Sequence, residues 1–209
     1  MKNLKQLSLL IMLLFSAATF SHAQTAVGLK AKAERQEVNT EKSTIDWRGE
    51  KVTGKHNGTI NLQEGYLMMA NETLMGGSFT VDMNSIENLD INDDGSRGKL
   101  VGHLKSEDFF YVEKHPKATF IILDVKENGN GSYDVTGNMT IRGKINKVTF
   151  PAKVETSEGQ TTATAEITID RSLYDVKYGS GSFFDGLGDK MIHDDFELTV
   201  KLVTNESGL

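Results

Sequence analysis

Residues 98–110 read GKLVGHLKSEDFF, and they interrupt a chain that elsewhere alternates apolar and polar residues almost from end to end. Leu100, Val101 and Leu104 recur at helical spacing rather than at the period of two that marks a strand. Ser96 stands where an N-cap belongs, and Ser106 is placed to cap a second short turn beginning at Glu107. The segment closes on two adjacent aromatics, Phe109 and Phe110, with Tyr111 behind them. A short helical piece carrying an aromatic pair, set between strands, predicts a plug or lid on a sheet. A sheet needs one when its own side chains cannot fill its interior.

Downstream of that piece, residues 118–127 read ATFIILDVKE and are apolar on both faces. Asn128-Gly129-Asn130-Gly131 is the strongest hairpin signal in the chain. Tyr133, Val135, Met139 and Ile141 then share one face, and Arg142-Gly143-Lys144 turns again. Val148, Phe150, Ala152 and Val154 form the next inward row, followed across Glu158-Gly159 by Ala163, Ala165, Ile167 and Ile169. Phe196, Leu198, Val200 and Leu202 give the clearest alternation, against Glu197, Thr199 and Lys201. Upstream, Ile45 and Trp47 share a face, as do His56, Gly58, Ile60 and Leu62. Gln63-Glu64-Gly65 reads as a turn, Tyr66–Ala70 as a stretch apolar on both faces, and Gly77, Phe79, Val81 and Met83 as another inward row.

The first residues carry a targeting pattern. Lys2 and Lys5 precede the apolar run Leu7–Phe15, and Ser21-His22-Ala23 supplies the small residues of a cleavage site. The run is shorter than the roughly 20 residues of a membrane span, so cleavage after Ala23 and export to the periplasm or outside are expected, with no integral membrane segment left afterwards. The polar residues 24–37 read as a flexible leader and 38–204 as one domain. The chain has no cysteine, hence no disulfide and no thiol nucleophile. Its net charge is −6 with no basic cluster, and removal of Lys2 and Lys5 makes it more acidic. Nucleic acid and anionic surfaces are therefore poor partners.

Eight or nine strands joined by short turns imply an all-β, antiparallel fold. Several reach about ten residues, or roughly 33 Å at ~3.3 Å each, so an eight-stranded closed barrel would enclose a tunnel rather than a cup. Small inward residues (Gly58, Gly77, Ala163, Ala165) beside large ones leave space for a continuous channel, whose natural occupant is a long apolar chain.

The quoted segment, together with GGSFTVDMNSI (76–86) and DRSLYDVKYGSGSFFDGLGDK (170–190), resembles the YceI-like family of periplasmic isoprenoid-binding proteins. WRGEKVTGKHNGTI (47–60) and GNMTIRGK (137–144) carry the same resemblance, in the family's order and spacing. It implies an extended lipocalin-like barrel holding a long isoprenoid, quinone or fatty-acid-like lipid, with no cofactor beyond that lipid, and it implies frequent dimers. The channel expected from it is lined by Trp47, Ile60, Phe79, Val81, Leu104, Phe109, Phe110, Phe120, Ile122 and Phe183, with Tyr174 and Tyr178 offering hydroxyls to a headgroup at the mouth. Filling of an ordinary core is the competing role for each aromatic.

Catalytic and metal chemistry have weaker support. No close histidine pairing of the HExxH kind occurs among His56, His103, His115 and His193. Asp185, Asp189 and residues 193–195 are read as a solvated acidic loop rather than a cation site, and His56 as a hydrogen-bonded interior histidine. Gly179-Ser180-Gly181-Ser182 lacks the GxSxG spacing of a nucleophile elbow and reads as a flexible loop. Asp170-Arg171 is expected to be an ion pair fixing one end of the barrel. Binding rather than turnover follows. A side-chain-filled structural barrel and an enzyme acting on a lipid in the same cavity are the alternatives, and apolar outer faces at 66–70 and 120–125 call for cover by the helix or a second subunit.

Overall fold

The computed structural model describes residues 32–206; the expected signal peptide and the first part of the leader lie outside them. Nine strands and one helix follow in the order β1 (Glu34–Glu37), β2 (Thr44–Lys51), β3 (Gly54–Ala70), β4 (Thr73–Asn88), α1 (Asp94–Lys105), β5 (Lys117–Gly129), β6 (Ser132–Ile141), β7 (Lys144–Ser157), β8 (Gln160–Asp170) and β9 (Ile192–Val203). Neighbours from β2 through β9 pair antiparallel in sequence order, and β9 returns to pair with β2. Eight strands thus close into a barrel, which removes the free edges an open sheet would expose.

The reason for closure is visible in the rows of side chains. On β6 every second residue from Tyr133 to Ile141 is buried, and the residues between them are partly exposed. Each hairpin at one end turns through two residues at positive φ: Asn71-Glu72, Asn130-Gly131 and Glu158-Gly159. These are the tight turns whose twist matches the strands they join.

Two expectations about the strands change. Gln63-Glu64-Gly65 does not turn; β3 runs through it for 17 residues, and the signal marks a register shift between Leu62 and Glu64. The turn comes at Asn71-Glu72 instead. The leader is also not wholly irregular, because Glu34–Glu37 pairs with Tyr66–Met69 beyond the end of β2. Its sequence, ERQE, has no apolar period. Backbone hydrogen bonds hold it, with Asn205 N donating to Glu37 O at 2.8 Å and Val38 N to Gly65 O at 2.8 Å. The Arg35 guanidinium lies 3.7 Å from the Tyr66 ring centroid.

The two ends differ. One carries β1 and the three tight turns named above. The other carries α1, the Arg142-Gly143 turn and the segment 171–191 between β8 and β9. The helix begins four residues earlier than the quoted stretch, and its cap is Asp93 rather than Ser96: the Asp93 carboxylate accepts from Ser96 N at 2.8 Å. Ser106 closes the helix, its hydroxyl donating to His103 O at 2.8 Å, and the chain then turns through Phe109 N to Ser106 O. None of the helix's own residues is fully buried.

Candidate functional site

The inward rows do not meet at the barrel axis. They enclose an apolar bore of ≈ 220 Å³. It is reached by Glu50, Ile192 and Phe196 at the helix end and by Leu67, Leu74 and Leu202 near the other. On β9 alone the lining runs from Ile192 to Leu202, roughly 33 Å of extended chain at ~3.3 Å per residue.

Cross-strand glycines keep the bore open. Trp47 faces Gly58 and Phe79 faces Gly65 in the β2–β3 and β3–β4 registers. A methyl at Gly65 would sit 2.6 Å from Phe79 Cδ1, and one at Gly137 would sit 2.5 Å from Phe120 Cζ. At Gly58 it would meet Trp47 Cζ2 at 2.7 Å and Glu87 O at 1.8 Å. At each of these positions a ring atom occupies the space a side chain on the glycine would take. Trp47 is fixed there by its indole N–H, 3.0 Å from Glu87 O and 3.2 Å from Thr59 O.

Of the expected channel residues, Trp47, Ile60, Phe79, Val81 and Leu104 line the bore, as do Phe109, Phe110, Phe120 and Ile122. The other three do not. Tyr174 is 1% exposed in a 3-10 turn (Arg171–Tyr174), and its hydroxyl has no hydrogen-bond partner. Burial, with the Asp170 charge adding to it, pushes that phenol up to about 12. Tyr178 lies on the surface with its ring 4.4 Å from His103 of α1. Phe183 is also exposed, 5.2 Å beneath Lys177 Nζ. Glycine-rich loops carry no period, so nothing in the sequence told these three apart from inward residues.

An aromatic train links the helix end to the lumen: His103 to Phe109 at 5.8 Å, Phe109 to Phe110 at 5.1 Å, and Phe110 to Phe196 at 6.2 Å, all edge-on. Beside it stands a charged residue that the sequence placed only at the barrel end. Arg171 is 2% exposed and lines the bore. Its guanidinium donates to the carbonyls of His193 (3.0 Å), Val176 (2.8 Å) and Ile192 (3.1 Å). The ion-pair partner is Asp194, at 3.4 Å, rather than Asp170, which instead accepts from Ser172 N. Burial raises the Asp194 carboxyl, but hydrogen bonds from Ser180 and Ser182 and the Arg171 charge prevail and hold it below the usual carboxylate range.

That same cluster corrects the reading of 179–182 as flexible: Ser180 is fully buried, and Ser182 Oγ donates to Asp194 at 2.6 Å. His56 is not interior either; about a third of its side chain is exposed, and it pairs with Asp90 at 2.8 Å. The outer-face expectation on β5 persists, since Ile121 and Leu123 remain exposed and α1 does not cover them. Among the described residues, no three His, Asp or Glu side chains converge as metal ligands, and no helix is long and apolar enough to cross a membrane.

A closed antiparallel barrel with an apolar lumen and one helix at its end is the class that fold and site define. Residues 36–204 match the YceI-like domain, and the chain belongs to that family. Similar solved structures include BcnA of Burkholderia cenocepacia (TM-score 0.65, 23% identity, covering 80% of this chain and 99% of that one). A polyisoprenoid-binding domain from Saccharophagus degradans is similar at TM-score 0.58 and 14% identity, over 84% of this chain and 100% of that one. Among curated relatives, a UPF0312 protein of Pectobacterium atrosepticum is 39% identical over 75 residues, 36% of this chain and 35% of the relative. One from Pseudomonas aeruginosa is 41% identical over the same length and the same shares. The matched segment spans about a third of those relatives.

Proposed function

We propose that the protein binds a long isoprenoid-class lipid in the bore and carries or sequesters it after export to the periplasm or outside. The observation that carries this is the lumen itself: apolar along its length and held open by rings laid over glycines. Burial of hydrocarbon supplies the driving force, at ~25 cal/mol per Å² removed from water before ordering costs. Quinones and fatty-acid-like chains share the required shape. Binding without turnover is the reading adopted. Organic extraction of protein purified from its native compartment, followed by mass spectrometry, tests it. A near-stoichiometric prenyl lipid is expected, and its absence together with failure to load one in vitro would sink the proposal.

The exposed Ile121 and Leu123 of β5, with Ile145 on β7 and Leu173 beyond β8, support a homodimer through the outer face. Light scattering at micromolar concentration is expected to give twice the chain mass. A monomer mass there argues against the dimer and leaves the lipid reading intact.

A further inference from the structure

The two ends of the lumen are built differently. At the helix end its lining includes Leu104, Phe110, Ile192 and Phe196, each only half-buried. Toward the tight turns the lining stops at Leu67, Leu74, Val154, Ala163 and Leu202, all of them buried. Behind those five lies a second layer that does not reach the bore: Val38, Met69, Tyr133, Thr161 and Thr204, none more than 6% exposed. Hydrogen bonds lock that layer. Tyr133 on β6 reaches past β5 to β4, where its hydroxyl accepts from Leu74 N at 3.4 Å. Thr161 N donates to Thr204 Oγ1 and Thr204 N to Thr161 O, both at 2.9 Å. The polar atoms of the layer are thus engaged with one another and with the backbone, and the floor presents only hydrocarbon to the lumen.

We infer that the bore is closed at its tight-turn end and works as a ruler for the chain it holds. An apolar tail enters from the helix end and runs until its terminus meets Leu67, Leu74 and Leu202; a longer chain leaves its surplus units outside. The inference rests on the lipid-binding reading and deepens it by naming the residues that set chain length. Ala163 is the weak point of the floor, with a methyl alone between Val154 and Leu202 in the β7–β8 and β8–β9 registers. A larger side chain there projects into the lumen and raises the floor.

Trp47 is the only tryptophan in the chain and it lines the bore, so its fluorescence reports occupancy. A series of polyprenols differing by one isoprene unit is titrated into delipidated wild type, Ala163→Leu and Leu74→Ala. In wild type each added unit should tighten binding by about tenfold until the chain fills the bore, and further units should add nothing. Ala163→Leu should move that break to a shorter chain, and Leu74→Ala, which lowers the floor, to a longer one. Should Leu74→Ala fail to fold, Ala163→Leu alone decides, since it removes no packed atom. Affinity that rises with length without a break overturns the ruler, as does a break that folded Ala163→Leu leaves in place; the lipid-binding reading survives either result. If no polyprenol of any length alters Trp47 fluorescence or co-migrates with the protein on gel filtration, both fall.

Discussion

At the scale of single residues, the open lumen depends on what is missing as much as on what is present. Gly65 and Gly137 have no side chain because an aromatic ring occupies that space. Single-sequence reading found Gly58 and Gly77 as small inward residues but could not pair Gly65 with Phe79, since register is a tertiary fact. Tyr174 shows the opposite case, a large residue placed correctly in the chain but wrongly in space. Its hydroxyl is buried without a partner, and an unpaired buried donor costs about 1–3 kcal/mol. Tyr174→Phe should therefore leave thermal stability unchanged or raise it. The phenol's folded value, about 12, lies above its ordinary 10.0. In the interval between them the folded state holds the proton that the unfolded chain has lost. Wild-type stability should accordingly be insensitive to this group below pH 10 and fall as pH rises from there toward 12. Equilibrium denaturation across that range should show the decline in wild type and a flatter profile in Tyr174→Phe. Matching slopes would mean that the group titrates normally.

Among the elements, α1 is the least secured. Three glycines, Gly95, Gly98 and Gly102, fall within its 12 residues, and none of its side chains is fully buried. Leu104 reaches the bore, and Lys105 Nζ donates to Asn84 O at 2.6 Å. A methyl added at Gly98 or Gly102 would meet nothing within 4 Å, so close packing does not require glycine there. Each Gly→Ala change should stabilise the helix by about 0.5–1 kcal/mol. Lipid release should slow in the double variant if the helix must move to let the ligand pass; stopped-flow displacement would show this, and an unchanged rate would make α1 a fixed wall. The helix was legible in the sequence because its period breaks the alternation around it. Its cap was misplaced because Asp93 lies in an acidic run where any of several side chains could cap. β1 was missed for a related reason: ERQE is held by backbone bonds, and no hydrophobic row announces it.

For the molecule as a whole, strand alternation and turn chemistry made the closed barrel readable, and the family resemblance agreed with them. The bore's wall residues came from the same rows. Arg171 did not, because it follows β8 in a segment without period, and only the fold brings it to the wall of the bore. The central claim is that the lumen is an occupied site rather than a packing defect, and it is tested most directly by titrating delipidated protein with a polyprenol while following Trp47. Wild type should give a saturable change at one lipid per barrel. Gly65→Ala, which pushes the Phe79 ring off the wall, should bind more weakly while remaining folded by circular dichroism, at a stability cost of about 1–3 kcal/mol. No saturable change in wild type, or identical binding by a folded Gly65→Ala, would contradict the account.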